Sequence, residues 1–146
     1  MSITYVKDDI LQSTADLIVI PVNCVGVMGA GLALKYSKLP FVNIRPYREA
    51  CLANALLPGR CYLAGRRFAY ATTKLHWKDP SKEEWVESIL DDLVAIALLG
   101  NHITIDIPAL GCGCGGLSWG WFKSAARDRL KPLNGPTFDI HIYEPL

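Results

Sequence analysis

Two glycine-rich stretches and one lysine carry the residue types that could do chemistry in this chain. They are Asn23-Cys24-Val25-Gly26-Val27-Met28-Gly29-Ala30-Gly31, Gly111-Cys112-Gly113-Cys114-Gly115-Gly116, and Lys74. Glycines at 26, 29 and 31 let the backbone turn tightly and approach an anion, and the N–H groups of a following helical turn point at it. Asn23 adds a side-chain amide that both donates and accepts hydrogen bonds, which suits a ribose hydroxyl or a carbonyl. Taken alone, a glycine-rich turn serves tight packing as readily as a ligand. Two such loops, each after a strand, favour the ligand and suggest a diphosphate held between them.

The elements that must position these groups are readable in order. Ile3 to Lys7 alternates like a strand, and Leu17 to Val22 is nearly all apolar, as a central strand covered on both faces must be. Gly31 to Lys38 is predicted helical and stopped by Pro40. Phe41 to Ala55, interrupted by Pro46, gives one or two short helices, and Pro58-Gly59 is a turn. Arg60 to Ala64 and Phe68 to Thr72 read as strands joined around Gly65-Arg66-Arg67, the second delivering Thr73 and Lys74 to its C-terminal end. Ser81 and Glu84 stand as in a capping box, which starts a helix that runs to about Leu99 and ends at Gly100-Asn101. His102 to Ile107 is a strand leading into the second glycine stretch. Trp119 to Leu130 is a helix closed by Pro132 and Gly135, and Thr137 to Tyr143 is the last strand. Strands alternating with helices predict an α/β fold: a mixed, largely parallel sheet of about six strands with helices on both faces. Ligands of such sheets sit outside the carboxyl ends of the strands, where both glycine loops and Lys74 fall, so the three can share one site.

Composition narrows the class. The chain has 146 residues, 51% of them apolar, and is read as one domain over residues 1–146. A formal charge of +1 gives no global attraction to nucleic acid or anionic membrane, so contact with a polyanion has to come from a local patch. Five scattered cysteines in mostly apolar surroundings argue against a disulfide framework and fit a reducing cytoplasm. No signal-type segment and no apolar run of membrane-spanning length is present, so no membrane partner is expected. Neither loop contains Gly-Lys-Ser/Thr, which disfavours a P-loop enzyme. Gly111, Gly113 and Gly116 match a dinucleotide-binding spacing, but only one strand remains after them, too little to complete a dinucleotide-binding half. Cys112 and Cys114 lack a second pair, so neither metal nor cofactor is expected.

In this context the sequence closely resembles the macro domain family, whose members bind ADP-ribose on a mixed sheet flanked by helices. The resemblance covers essentially the whole chain. It rests on Tyr5-Val6-Lys7-Asp8-Asp9-Ile10, on Asn23 through Leu34, on Ala71-Thr72-Thr73-Lys74-Leu75-His76-Trp77, and on Pro108 through Leu117. Within the family it is most similar to the DarG-like antitoxin branch, with kinship to the terminal ADP-ribose protein glycohydrolase branch. The resemblance implies that Asp9 accepts from the adenine amino group with the Ile10 backbone beside it. Asp8 departs from the glycine more usual before that aspartate. It further implies that Leu110, Gly111, Cys112, Gly113, Cys114, Gly115 and Gly116 wrap the diphosphate. Gly26, Val27, Met28, Gly29, Ala30 and Gly31 would hold the diphosphate and distal ribose, with Asn23 facing that ribose.

Macro domains divide into readers and hydrolases, so binding alone does not imply catalysis. Lys74 matches the position where lysine-dependent members carry their catalytic amine, and the resemblance implies that it attacks or polarises C1 of the distal ribose. His76 is a secondary candidate as proton donor; packing beside Trp77 is an equal role for it. The protein-directed branch pairs its lysine with an aspartate in the second loop. Here that position is Gly115, and no acidic residue lies between Asp106 and Asp128. The resemblance therefore implies removal of ADP-ribose from a DNA base, with a non-catalytic reader, or a hydrolase of modified protein or small ADP-ribose derivatives, as the alternatives. A single-stranded DNA partner would draw on Arg45, Arg48, Arg66, Arg67, Lys78, Trp77 and Trp119, which sequence cannot place on one face. A monomer without a further partner-binding domain is the expectation for the chain's organisation.

Overall fold

The computed structural model describes residues 2–100 and 102–145. Six strands form one sheet: β1 (Ser2–Val6), β2 (Leu17–Asn23), β3 (Cys61–Ala64), β4 (Phe68–Lys74), β5 (Thr104–Pro108) and β6 (Asp139–Tyr143). The helices are α1 (Gly31–Ser37), α2 (Arg45–Leu52), α3 (Glu83–Leu99) and α4 (Trp119–Arg129), with short 3-10 turns at Ile10–Gln12 and Lys131–Leu133. The strand order is β1-β6-β5-β2-β4-β3. Every neighbouring pair is parallel except β3 with β4. The expected mixed, largely parallel sheet is what forms. Among the described residues no helix is long and apolar enough to cross a membrane.

β2 is central because its side chains are apolar on both faces. Leu17 and Val19 pack with α3 and α4 in one core, and Ile18, Ile20 and Val22 pack with α1 and α2 in the other. α3 explains its own burial: Val86, Ile89, Leu90, Leu93, Val94 and Ala97 recur at helical spacing and all lie inside. The chain leaves β2 toward the α1/α2 face, whereas the neighbours β4 and β5 connect through α3 and α4 on the opposite face. Where connections on adjacent parallel strands diverge to opposite faces, a crevice opens at the carboxyl ends. By this topology the divergence falls at the end of β2, between the loops that leave β2 and β5.

Several expected boundaries move for physical reasons. Ser81 does not cap α3: Lys82 is the N-cap residue and no side chain bonds the free N–H groups there. Ser81 is instead drawn inward, 6% exposed, with its backbone N–H donating to Gly115 O at 3.0 Å. Pro46 does not interrupt a helix but sits in the first turn of α2, where no N–H is required. β4 extends two residues beyond the expected end and includes Lys74. β5 starts at Thr104 rather than His102, because the N–H groups of Ile103 and Thr104 donate to Asp16 Oδ2 at 2.9 and 3.0 Å. Of the expected α3 stop, Gly100 is the C-cap and Asn101 lies outside the described residues. Ser118, unremarked in the sequence, caps α4 by accepting from Trp121 N.

Candidate active site

The loop after β2 is organised by the side chain of Asn23. Its Oδ1 accepts from the N–H groups of Val25, Gly26 and Val27 at 3.1, 3.1 and 3.3 Å, and its Nδ2 donates to Val27 O at 2.7 Å. Tyr47 on α2 donates to both Asn23 O and Asn23 Oδ1, at 2.8 and 3.0 Å. Asn23 is 6% exposed, so the ribose contact expected of it has only the second Nδ2 hydrogen to work with. Its principal action is to hold the loop. Gly26 adopts φ +88°, and a Cβ there would meet Cys51 Cβ at 3.4 Å, so the loop lies directly on α2. Burial and the neighbouring Cys51 push the Cys24 thiol up to about 11, so it packs rather than reacts. Met28 is buried in the core beneath α1, leaving only its backbone for a ligand, whereas Val27, Gly29, Ala30 and Gly31 are exposed.

The second loop is folded on itself. Leu117 N donates to Gly111 O at 2.8 Å and Gly116 N to Gly113 O at 3.2 Å, and Gly111 and Gly116 take φ of +77° and +79°. A Cβ on Gly115 would lie 2.5 Å from Ser81 Oγ and 2.6 Å from Gly111 O, so only glycine fits. Gly113 is different: its φ is not positive and a Cβ there would meet nothing within 4 Å. The N–H groups of Gly113, Cys114 and Gly115 have no acceptor among the described residues, and consecutive free N–H groups in a turn form a concavity suited to an anion. Leu110 is completely buried and can offer a ligand only its backbone. Burial pushes the Cys112 thiol up to about 11, and Cys114 is exposed.

Lys74 joins the two loops' surroundings. Asn23 and Lys74 are register partners at the ends of β2 and β4, with a bulge between Val22 and Asn23. From there Lys74 Nζ donates to Trp77 O at 3.1 Å and reaches past β2 to Cys114 O at 3.2 Å. An amine with two N–H groups committed to peptide carbonyls has its remaining tetrahedral position directed away from both. His76 Nδ1 accepts from Lys78 N at 3.1 Å, which places the proton of the neutral ring on Nε2. The ring lies 5.4 Å from that of Trp77, and Lys78 Nζ sits 5.1 Å from the Trp77 ring centre. Trp77 and Lys78 are exposed beside Lys74.

The remaining expected residues fall as follows. Asp9 is exposed at the end of the β1 connection, where Oδ1 accepts from Leu11 N at 3.0 Å and leaves Oδ2 free; the buried Ile10 keeps an uncommitted backbone N–H among the described residues. Arg45 pairs with Glu49 at 2.9 Å, and Arg48 packs against Gly26. Trp119 packs edge-on to Tyr5 at 6.0 Å, a core role. Arg66 and Arg67 lie at the opposite end of β4. The sequence reading missed Tyr47 and Ser81. An apolar-faced helix gives no sign that one tyrosine hydroxyl is aimed at a strand end, and Ser81 was hidden by its resemblance to a cap.

A central parallel strand flanked by diverging connections, with a glycine loop on it and another on its neighbour, is the architecture of a macrodomain. The macrodomain of Mycobacterium tuberculosis DarG superposes with a TM-score of 0.90 at 32% identity, over 99% of this chain and 98% of that one. That of Thermus aquaticus DarG gives 0.85 at 34% identity, over 98% of each chain. The chain belongs to the family of DarG-type macrodomains. A solved structure described as Thermosipho africanus DarTG in complex with ADP-ribose matches with a TM-score of 0.86 at 29% identity, over 99% of this chain and 42% of that one. Among curated proteins, a DNA ADP-ribosyl glycohydrolase of Thermus aquaticus is 34% identical over 149 residues, covering 97% of this chain. The chain spans about two fifths of the length of the curated relatives it matches, 41% in that case. No family model matches the chain.

Proposed function

We propose that the chain holds ADP-ribose across the end of β2 and hydrolyses its bond to a modified DNA base, with Lys74 as the catalytic residue. The observation that carries this reading is the placement of Lys74 Nζ, level with Asn23 at the end of β2 and held by Trp77 O and by Cys114 O of the second glycine loop. The relatives named DNA ADP-ribosyl glycohydrolase, and the relative described with bound ADP-ribose, support the substrate class. In this reading the free N–H groups of Gly113 to Gly115 receive the diphosphate, and Asp9 Oδ2 accepts from the adenine amino group with the Ile10 N–H beside it.

The step runs through the neutral amine. Its lone pair attacks C1 of the distal ribose, the bond from C1 to the base nitrogen breaks with its electron pair going to the base, and the base takes up a proton. Water then displaces the lysine at C1, releasing ADP-ribose and restoring the amine. His76 Nε2–H is the nearest titratable donor in sequence, but its Nδ1 is occupied by the Lys78 N–H, so water is the simpler proton source. The lack of room at Gly115 favours DNA over protein as the acceptor: no side chain fits there, so the aspartate of the protein-directed branch has no counterpart. The chain acts as a monomer on single-stranded DNA.

One observation supports a second reading as a reader. Both Lys74 bonds go to backbone carbonyls, so the residue could serve as a strut between the segment after β4 and the second glycine loop. The test is release of ADP-ribose from an ADP-ribosylated oligonucleotide by wild type and Lys74→Ala, with calorimetric titration of free ADP-ribose in parallel. Catalysis by Lys74 requires turnover to disappear while ADP-ribose still binds. Undiminished turnover in Lys74→Ala refutes the lysine mechanism, and tight binding without turnover in wild type selects the reader.

A further inference from the structure

Behind Tyr47, away from the two glycine loops, a cavity of about 580 Å³ opens between α2, the segment after α1 and the β3–β4 turn. That volume suits a ligand of nucleotide size. Its walls are aromatic and its charged groups are all cationic. Phe41, Tyr62 and Phe68 line it with Arg66 and Arg67, and no Asp or Glu does. Phe41 is 65% exposed although it stacks on Phe68, the ring centres 6.0 Å apart and the planes 27° from parallel, so its outer face is open. Arg67 is partly committed, donating to Ser13 O and Ala15 O, and its guanidinium lies 6.0 Å from the Phe68 ring centre. Arg66 pairs with no carboxylate among the described residues, and neither does Arg48, which lies against Gly26 on the way to the first glycine loop.

We propose that this cavity is a second nucleic-acid subsite, taking one unstacked base of the single strand that carries the modified nucleotide. The inference rests on the DNA reading above. An exposed aromatic face binds any base by stacking, and unpaired guanidinium groups beside it bind the phosphates on either side. An apolar peptide would need the aromatic walls but not the uncompensated arginines. Phe68 opens β4 and Lys74 closes it, so the subsite lies about 20 Å from the reaction centre at the usual strand rise. At the stacked spacing of a nucleic-acid strand that is about six nucleotides. Arg48 is the intermediate phosphate contact along this path. Tyr47, which braces the first glycine loop through Asn23, forms the wall of the cavity on the side of that loop.

The experiment is fluorescence anisotropy with labelled, unmodified single-stranded oligonucleotides of about fifteen and about four nucleotides, lengths that do and do not span the two sites. The long strand should bind on the order of tenfold more tightly, and Phe41→Ala or Arg66→Glu should remove that advantage while leaving the short strand and calorimetric ADP-ribose binding unchanged. Arg66→Ala should also reduce the salt dependence of long-strand binding by about 0.7 in logarithmic slope, one phosphate contact. Melting curves check folding, which truncation of an exposed Phe41 leaves largely intact. Long-strand affinity that ignores both substitutions overturns the subsite, and so does thymidine monophosphate binding as tightly as the long strand. A wild type that shows this length dependence but releases no ADP-ribose from DNA contradicts the glycohydrolase reading alone.

Discussion

Two glycines of the second loop, one residue apart from being neighbours, should respond to the same added methyl group in opposite ways. In Gly115→Ala the new carbon lies 2.5 Å from Ser81 Oγ and 2.6 Å from Gly111 O, and Gly111 O is backbone already engaged by Leu117 N–H. Nothing there can yield cheaply, so the overpacking should cost roughly 1–3 kcal/mol, which is about 3–10 °C in melting temperature for a domain of this size. In Gly113→Ala the methyl meets nothing within 4 Å and φ is not positive, so stability should change by no more than about 0.5 kcal/mol, or rise slightly as the unfolded chain loses freedom. The fold therefore gives no reason for glycine at 113. A phosphate drawn against the free N–H groups of Gly113 to Gly115 does, because a methyl on that surface holds it off. Thermal melts and calorimetric ADP-ribose titration of both variants read the contrast: Gly113→Ala keeps its melting temperature and loses at least about tenfold in affinity, more than 1.4 kcal/mol. Wild-type affinity in Gly113→Ala would refute the cradle, and a wild-type melting temperature in Gly115→Ala would refute the packing argument beneath it.

The other predictions concern the supports of the site. Asn23→Ala strands the loop N–H groups of Val25, Gly26 and Val27 and should lower stability by roughly 2–4 kcal/mol in denaturant melts, whereas a residue that only touched ribose would leave the melt unchanged. Tyr47→Phe removes one hydroxyl from the same bracket and should cost about 0.5–1.5 kcal/mol. The backbone N–H groups of Thr104 and Ile103 hold the Asp16 carboxyl below its ordinary 3.8, so its stabilisation is present above that value and is lost as pH falls through the lower folded-state value. Asp16→Asn should accordingly flatten the fall in stability below about pH 4, measured by urea melts across that range, with no change in pH dependence near neutrality.

What could be read from the sequence followed from patterns that local physics enforces. The unbroken apolar run of β2 demanded cover on both faces, and the helical spacing in α3 demanded one buried stripe; both are present. The glycine loops and Lys74 could be placed at strand ends because strand boundaries follow from those runs. Roles that depend on a distant partner were not legible. Ser81 has the local signature of a cap, yet its backbone bond to Gly115 pulls it under the second loop, and a tertiary contact overrides the local preference. Asn23 reads as a ligand group from its chemistry alone. Only the positions of three following N–H groups and of Tyr47 give it a structural occupation. Arg66, Arg67 and Trp119 formed one list of possible nucleic-acid contacts, and the fold separates them into an open cavity and a packed core.

The bulge at the top of β2 and β4 is the local device that makes a lysine there useful. Val22 is in register with Thr72, but the next residue, Asn23, is in register with Lys74, so β4 advances two residues while β2 advances one. In a regular ladder Asn23 would face Thr73, and Lys74 would belong to the next level up. A one-residue change of register moves a side chain to the other face of a sheet. Thr72 below the bulge is fully buried and tied by Oγ1 to Leu57 O at 2.7 Å, so the slack has to be taken up above it. The extra residue brings Lys74 down level with Asn23 at the end of the central strand, from which its amine spans to Cys114 O on the loop of the next strand over. Bulges of this kind cluster beside active sites because they re-aim one side chain without disturbing the ladder beneath it. The amine is thereby held by two backbone carbonyls on separate segments, and the loop that provides one of them is itself packed against buried Ser81. Reach and direction of Lys74 thus come from backbone geometry, which explains why no neighbouring acidic side chain is needed to orient it.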